Sequence, residues 1–365
     1  MAPETILDKK LLEAILQQQV SAHKTPGLHY AFFDAEKVLF EYSAGEADVE
    51  KGIAVDAQTA FYAFSMTKTF TATATMHLVA QGRLQLDDLV KSHLPAFELG
   101  DEMTVRHLLA HSSGLSNPLP IRWIHLVEEH ETFEEDAFFR KVFQGLKKPS
   151  RKPNERFAYT NLGFVVLGQI IETVSGMPYK EYIRQYIIQP LGVSDQLGFE
   201  RQPGWKVAGG YHRAFSFGNL LLGFLLDRAK FMGKKAKGWA SFNPDYVNGP
   251  AYGGLIGRPA AFVAFAQDLI RSDSALLSPE SRQEMFQENH LNNGKASGMC
   301  LGWFCGKQDG IRFVTHAGGG GGYYCEMRIY PEKGLGSIIM TNRSGFSDER
   351  MIGAFDRFLL NSSAL

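Results

Sequence analysis

This chain of 365 residues is poor in several features, and each shortage excludes a class of protein. Its three cysteines, Cys300, Cys305 and Cys325, are an odd set without a regular spacing, which argues against a disulfide framework and favours buried thiols over metal ligation. The net charge of −1 gives no basic excess of the kind that binds nucleic acids. No stretch reaches the roughly 18 apolar residues that cross a bilayer, so we expect no integral membrane segment.

The N-terminus also lacks the features of a secretory signal. Residues 1–24 mix acidic, lysine and glutamine side chains and contain no unbroken apolar core before a small-residue cleavage site. We expect an amphipathic helix from Asp8 to His23 instead. Its apolar face carries Leu11, Leu12, Ile15 and Leu16. This pattern predicts a cytoplasmic location.

A serine three residues before a lysine occurs twice, at residues 21–24 and 65–68. Three helical residues turn through about 300°, so either lysine could help to deprotonate its serine. Ser21 falls in the last turn of its predicted helix, whereas Ser65 precedes a run of small residues, Thr67–Ala80, that we expect to be helical. Unpaired N–H groups at a helix N-terminus favour negative charge, so Ser65 is the candidate nucleophile.

Two further patterns could contribute to the same site. Tyr159 and Asn161 lie two residues apart before an apolar helix predicted over Phe164–Val174. Tyr-Val-Asn at 246–248 repeats the spacing, but neighbouring prolines and glycines predict a loop without rigid support there. After His316, five glycines at 318–322 follow a predicted strand; they indicate either a flexible hairpin or backbone that approaches a ligand closely.

His107 and His111 are four residues apart and could share a helix face, as zinc ligands do. Leu108 occupies the position at which that zinc motif has glutamate, so a structural pair is favoured and no metal is predicted. The apolar segment Phe215–Leu226 and the basic residues up to Lys237 indicate a lid, an acyl-binding wall or an amphipathic helix with weak lipid contact. Packing against its own domain explains the segment equally well.

The order of the predicted elements indicates a sheet built from both ends of the chain. We expect an N-terminal hairpin over Leu28–Gly45, a mainly helical stretch at 122–190 and a helix over Ala260–Ile270. Residues 1–85 and 255–365 would form an α/β domain, residues 86–254 a mainly helical domain, and the active site the cleft between them. The C-terminal elements expected are strands over Leu301–Cys305, Ile311–His316, Tyr323–Tyr330 and Ser337–Asn342, then a helix over Phe346–Leu360.

Three patterns occur in this order along the chain: S-x-x-K at 65–68, Y-x-N at 159–161 and H-x-G at 316–318. Together they resemble the motifs of the serine β-lactamase and penicillin-binding-protein superfamily. The resemblance is closest to its class C β-lactamase-like branch, which includes family VIII carboxylesterases and DD-peptidases. The segment from His107 to Leu115, His-Leu-Leu-Ala-His-Ser-Ser-Gly-Leu, is similar to another segment of that branch. The resemblance implies an α/β (α+β) β-lactamase-like fold, with an antiparallel sheet, flanking N- and C-terminal helices and an inserted helical domain.

The resemblance also implies roles for individual residues. Ser65 would be the acylated nucleophile, and Lys68 and Tyr159 would share the general-base role, with Tyr159 held at least partly as phenolate by nearby cations. Asn161 would orient Lys68 or the substrate carbonyl.

On the strand beside the cleft, the resemblance places His316 and Gly318. The backbone N–H groups of Ser65 and Gly319 would form an oxyanion hole. No metal or organic cofactor would be needed.

Many β-lactamases of the superfamily have lysine at the position of His316, and a neutral imidazole would weaken the binding of a substrate carboxylate. Some DD-peptidases also have histidine there. We therefore expect a serine carboxylesterase that acts on a small ester through an acyl-enzyme. The alternatives are a DD-peptidase or weak β-lactamase, and a non-catalytic scaffold, which would not need Ser65 and Lys68. Five aromatic residues are expected to favour apolar acyl groups: Phe61, Tyr62, Phe64, Tyr323 and Tyr324.

Overall fold

The computed structural model describes residues 3–214, 226–344 and 351–360. The strands, numbered along the chain, are β1 (Gly27–Asp34), β2 (Val38–Asp48), β3 (Ile53–Ala54), β4 (Thr59–Tyr62), β5 (Ile124–Leu126), β6 (Leu197–Gly198), β7 (Lys206–Val207), β8 (Tyr211–Arg213), β9 (Met232–Ala236), β10 (Trp239–Phe242), β11 (Asp245–Val247), β12 (Ile256–Gly257), β13 (Phe304–Gln308), β14 (Ile311–Gly320), β15 (Tyr323–Tyr330) and β16 (Leu335–Thr341).

The helices are α1 (Pro3–Ser21), α2 (Thr67–Ala80), α3 (Val90–His93), α4 (Val105–Leu109), α5 (Glu135–Gln144), α6 (Asn161–Ser175), α7 (Tyr179–Ile183), α8 (Arg228–Phe231), α9 (Pro250–Gly253), α10 (Pro259–Ile270), α11 (Pro279–Met285) and α12 (Ile352–Leu360). Short 3-10 turns cover Phe64–Met66, Pro120–Arg122, Val127–Thr132, Gln189–Leu191 and Pro331–Lys333, and Arg184–Ile188 is a π-helical turn.

The central element is a seven-stranded antiparallel sheet with the order β13-β14-β15-β16-β1-β2-β3. Strand β1 pairs with β2 on one side and with β16 on the other, with Leu28 opposite Thr341, so the two ends of the chain meet inside the sheet. Side chains alternate along β1 because successive residues of a strand point to opposite faces. Tyr30 and Phe32 pack with α1 and α12, whereas Ala31 and Phe33 face the main core. This confirms the predicted fold class.

A single apolar cluster connects the sheet to the helical part of the chain. It joins Phe70 of α2 and Phe262 of α10 to Phe164 of α6 and to Met327 of β15. The rings of Phe70 and Phe265 stack in this cluster with centroids 3.7 Å apart. The main core therefore crosses the predicted boundaries at residues 85 and 255, and the division into two domains stays a prediction.

Several predicted elements match the structure closely, and others differ in their bounds. The helix predicted over Thr67–Ala80 has those bounds, and the strand predicted over Tyr323–Tyr330 also does. Strand β13 begins at Phe304 and not at residue 301, because a tight turn in which Cys300 N donates to Trp303 O, 2.7 Å away, occupies the residues before it. Strand β14 continues through the first glycines to Gly320.

The loop predicted at 246–248 is wrong. Residues Asp245–Val247 form β11, which pairs antiparallel with β5. Asn248 is buried, and its Oδ1 lies 2.8 Å from His125 Nδ1. Backbone pairing with a strand far away in the chain gives this segment the rigid support that its proline and glycine neighbours did not indicate.

The apolar segment that was predicted to be a lid or a lipid contact lies, up to residue 225, outside the described residues. The basic residues after it belong to α8, β9 and the turn that follows. Their side chains form ion pairs with glutamates of other elements: Lys230 with Glu129, Lys234 with Glu50 and Lys237 with Glu46. Across the described residues, no helix has both the length and the apolar character needed to span a bilayer.

Candidate active site

Ser65 lies in the 3-10 turn Phe64–Met66, which leads directly into α2. Its side chain is partly exposed, whereas Lys68 is fully buried one turn later. Phe64, immediately before the serine, has a φ of +43°, which is unusual for a residue with a side chain. Strained backbone of this kind persists only where its surroundings enforce it, and here it places a serine at the surface above a buried amine.

The amine of Lys68 contacts three oxygen atoms. Its Nζ lies 3.0 Å from Ser65 Oγ, 2.9 Å from Asn161 Oδ1 and 2.8 Å from the backbone oxygen of Tyr252. Burial lowers the pKa of Lys68 well below its usual value. The lysine is therefore positioned and polarised by uncharged groups, in a place where its neutral form is favoured.

Tyr159 also contacts Ser65, through a hydrogen bond between the two side chains. Burial raises the pKa of its phenol, and a hydrogen bond with Ser65 opposes this effect only in part. A raised pKa favours the protonated phenol, whereas the family resemblance implied a phenolate held by nearby cations. Lys68 is itself desolvated, and an uncharged phenol costs less free energy to bury than a phenolate. The ring lies between two others, with centroids 4.3 Å from His111 and 6.2 Å from Phe304.

The segment 111–117 holds the Y-x-N backbone in place. Ala158 N donates to His111 O at 2.8 Å, and Thr160 N donates to His111 Nδ1 at 3.2 Å. Asn161 N, at the start of α6, donates to Asn117 Oδ1 at 3.0 Å. These bonds give the His-Ser-Ser-Gly segment a function that its sequence did not reveal, namely to support the tyrosine and the asparagine.

His107 and His111 do not form a joint site. The Nδ1 atom of His107 accepts a hydrogen bond from Thr104 N, 3.1 Å away, at the start of α4. His111 is buried against Tyr159, and burial lowers the pKa of its imidazole well below the usual value. In the part of the chain that the structure describes, no group of three or more histidine, cysteine, aspartate or glutamate side chains could hold a metal ion.

The strand edge beside Ser65 belongs to β14. Strand β13 begins with Phe304, which lies opposite Thr315. It therefore does not pair with the part of β14 that carries His316, Gly318 and the exposed Gly319. A Cβ atom on Gly318 would lie 2.0 Å from the backbone oxygen of Ala63 and 2.9 Å from Ser65 N. The first residues of the glycine run therefore belong to a regular strand. The close approach of the nucleophile turn explains why a glycine is needed at Gly318, and a flexible hairpin does not.

Replacing Gly318 with alanine should therefore reduce turnover. The added methyl group has to displace the turn that carries Ser65, so the backbone N–H groups beside the serine would move away from a developing oxyanion. We expect kcat to fall by roughly 10²–10³-fold, the usual effect of losing one oxyanion donor. Steady-state kinetics checks this result, with Gly198→Ala as a control, because a Cβ atom added at Gly198 meets no atom within 4 Å. Equal activity of Gly318→Ala and the wild type would contradict it.

Three aromatic rings form a wall next to the serine, and we call them the aromatic wall: Tyr62, Phe64 and Tyr323. The Tyr62 and Tyr323 ring centroids are 4.9 Å apart, and Phe64 lies 6.0 Å from each of them. Two residues predicted to join them do not. Phe61 is buried in the core, and Tyr324 points to the opposite face of the sheet, where its hydroxyl donates to Glu326 Oε2 at 2.9 Å.

The cysteines are free, and one of them contacts the nucleophile turn. Cys300 and Cys325 are buried, whereas Cys305 is half-buried. Cys325 Sγ donates to the backbone oxygen of Ala63 at 2.9 Å, two residues before Ser65. The predicted burial of the thiols is thus confirmed for Cys300 and Cys325.

Sequence comparison gives one family for nearly the whole chain. The Beta-lactamase family profile matches residues 12–360. Penicillin-binding protein 4* of Bacillus subtilis (strain 168) is 26% identical over 345 residues, which cover 92% of this chain and 72% of that protein.

Structural comparison agrees. The octameric penicillin-binding protein homologue from Pyrococcus abyssi superposes with a TM-score of 0.75 at 27% identity, covering 96% of this chain and 76% of that one. The D-amino acid amidase from Ochrobactrum anthropi SV3 gives a TM-score of 0.77 at 21% identity, covering 97% and 99% of the two chains, which shows a shared fold. On the profile match over residues 12–360, the chain belongs to the β-lactamase and penicillin-binding-protein family of serine hydrolases.

Proposed function

We propose that the protein is a carboxylesterase that cleaves small, short-chain esters through an acyl-enzyme on Ser65. The observation that carries this proposal is the set of contacts around Lys68 Nζ. A neutral amine has two N–H groups and one lone pair. Donation to Asn161 Oδ1 and to the Tyr252 backbone oxygen uses both N–H groups, so the lone pair is directed at the Ser65 hydroxyl, 3.0 Å away.

In the acylation step, Ser65 Oγ bonds to the ester carbonyl carbon while its proton passes to the lone pair of Lys68. The negative charge on the carbonyl oxygen would be stabilised by the backbone N–H groups of Ser65 and Gly319. The tetrahedral intermediate then breaks its bond to the alcohol oxygen. Because the Tyr159 phenol is protonated and hydrogen-bonded to Ser65, it can relay the proton from Lys68 to the departing alcohol.

Deacylation repeats these steps with water as the nucleophile. Water bonds to the acyl carbon and gives its proton to Lys68, and the bond to Ser65 Oγ breaks as that oxygen regains a proton. A carboxylic acid leaves and the enzyme returns to its starting form. Asn161 positions Lys68 in both halves of the cycle through its 2.9 Å contact with Nζ.

The strand beside the site supports esters without a carboxylate next to the scissile bond. Burial lowers the pKa of His316 to about 3, and its Nδ1 lies 2.8 Å from the backbone oxygen of Ala317. The imidazole is therefore neutral and offers no positive charge to the carboxylate that β-lactams and D-alanyl-D-alanine peptides carry. The aromatic wall complements an apolar acyl group.

Amide hydrolysis is the second candidate. It is favoured by the similarity along the whole chain to the D-amino acid amidase, whose name indicates an amide substrate. A D-amino acid amide also lacks the free carboxylate, so a neutral His316 is compatible with it.

A direct comparison of substrates tests the proposal. We expect kcat/KM for p-nitrophenyl butyrate to exceed clearly the values for a chromogenic cephalosporin and for D-phenylalanine amide, because the ester has an apolar acyl group and no carboxylate. Ser65→Ala measured in parallel corrects for spontaneous ester hydrolysis. Equal or faster turnover of the cephalosporin would reject the esterase, and preference for the amide would establish the second candidate.

A further inference from the structure

A cavity lies against two rings of the aromatic wall. It has a volume of about 310 Å³, and Tyr62 and Tyr323 form part of its lining. Gly321, in the turn after β14, also lines the cavity. It lies three residues after Gly318, so the two glycines are about 10 Å apart at the usual rise of a strand. Neither Ser65 nor Lys68 lines this cavity, so the proposed ester chemistry does not explain it.

Asp245 is the most unusual group in this cavity. Its side chain is only 4% exposed, and its Oδ2 has no hydrogen-bond partner among the described residues. The backbone around it is fixed, because β11 pairs with β5 and the Asp245 backbone oxygen accepts a 2.6 Å hydrogen bond from the Tyr62 hydroxyl. A buried carboxyl group without a donor is costly, which points to a ligand that supplies the donor.

Arg201 lines the same cavity with the opposite charge. Its Nε donates to the Tyr62 hydroxyl at 3.1 Å, and its guanidinium carbon lies 5.6 Å from the centre of that ring. Within the described residues it forms no ion pair with Asp245 at 4 Å or less. The charges at the mouth of the cavity are already paired, Lys234 with Glu50 at 2.8 Å and Lys51 with Asp48 at 3.3 Å. Asp245 and Arg201 are thus a separated acid and base that face one small space.

We propose that this cavity binds a free α-amino acid, with its ammonium group on Asp245 and its carboxylate on Arg201. Both contacts are charge-assisted hydrogen bonds, and the planar guanidinium suits a carboxylate. A ligand with a single charge would satisfy one group and be repelled by the other, whereas a zwitterion satisfies both. The volume lies at the lower end of the range for ligand pockets, and a small side chain of the ligand would pack against the two tyrosine rings, whose centroids are 4.9 Å apart. The site shares Tyr62 and Tyr323 with the aromatic wall but contains neither Ser65 nor Lys68.

Isothermal calorimetry on the full chain tests the proposal with L-alanine and D-alanine as probes. We expect at least one of them to bind, and we expect propionate and ethylamine, each with only one of the two charges, not to bind at the same concentrations. Asp245→Asn and Arg201→Gln should each weaken binding by roughly tenfold or more, since each removes one charge-assisted bond. Burial raises the pKa of the Asp245 carboxyl group to about 7, and a neutral amide of the same size costs no more free energy to bury, so the Asp245→Asn variant should fold.

Two controls separate this site from the rest of the chain. Glu135→Gln alters a carboxyl group that lines a different cavity and should leave alanine binding unchanged. Ser65→Ala should also bind alanine normally, so failure of the esterase proposal would not affect this result. The proposal is overturned if neither alanine binds, if ethylamine or propionate binds as tightly as alanine, or if binding survives Asp245→Asn or is lost in Ser65→Ala.

Discussion

Replacing Ser65 with alanine should lower kcat for p-nitrophenyl butyrate by a factor on the order of 10⁶, the effect of removing the nucleophile in another serine hydrolase. The alanine variant retains the oxyanion site and the aromatic wall but cannot form an ester bond with the acyl group. The side chain of Ser65 is partly exposed, and its hydrogen bonds are with the side chains of Lys68 and Tyr159 and not with the backbone, so the fold should tolerate its loss. Stopped-time product assays and a thermal melt measure the two effects separately.

The chain provides a matched control for this experiment. Ser21 also precedes a lysine by three residues, but it is exposed at the C-terminal end of α1. Ser21→Ala should leave turnover unchanged. Intact-mass measurement after treatment with an acylating inhibitor should show one adduct on the wild type and on Ser21→Ala, and none on Ser65→Ala. An adduct on Ser65→Ala, or equal losses of activity in both variants, would show that the nucleophile lies elsewhere.

The sequence is sufficient to place the two serines at opposite ends of their helices, because helix polarity can be inferred from capping and length. A serine before a long run of small residues occupies the N-terminal end of a helix, and α2 has the predicted bounds Thr67–Ala80. The meeting of Tyr159 and Asn161 with Lys68 was predicted from the family resemblance. Neither spacing nor composition shows that two segments 93 residues apart, at Lys68 and Asn161, come into contact.

Other parts of the site could not be predicted from the sequence. Tyr252 contributes a backbone oxygen to Lys68, and a carbonyl group is present at every position whatever the side chain is. The sequence predicted His111 to be half of a structural histidine pair. In the structure, its backbone oxygen and Nδ1 accept hydrogen bonds from the segment that carries Tyr159. Tyr323 and Tyr324 were predicted to act together, but adjacent residues of a strand point to opposite faces, so only Tyr323 belongs to the aromatic wall.

Replacing Lys68 with methionine should lower kcat/KM by roughly 10²–10⁴-fold, the usual contribution of a general base, because methionine has a similar length and no basic nitrogen. The mechanism requires the neutral amine, and burial lowers the pKa of Lys68 well below its usual value. Activity of the wild type should therefore rise with pH as Lys68 loses its proton, and it should reach its plateau well below the pKa of a solvated lysine. The pH profile of kcat/KM measures this directly.

Lys68→Arg separates charge from basicity. A guanidinium group stays protonated at every accessible pH, so this variant keeps a cation near Ser65 but cannot accept its proton. We expect it to be inactive over the whole pH range, whereas Lys24→Met, at the second S-x-x-K pattern, should follow the wild-type profile. If activity of the wild type fell as Lys68 lost its proton, or if Lys68→Arg kept most of it, the lysine would act as a positive charge and not as a base. The general-base role would then pass to Tyr159, whose raised pKa would require ionisation to accompany substrate binding.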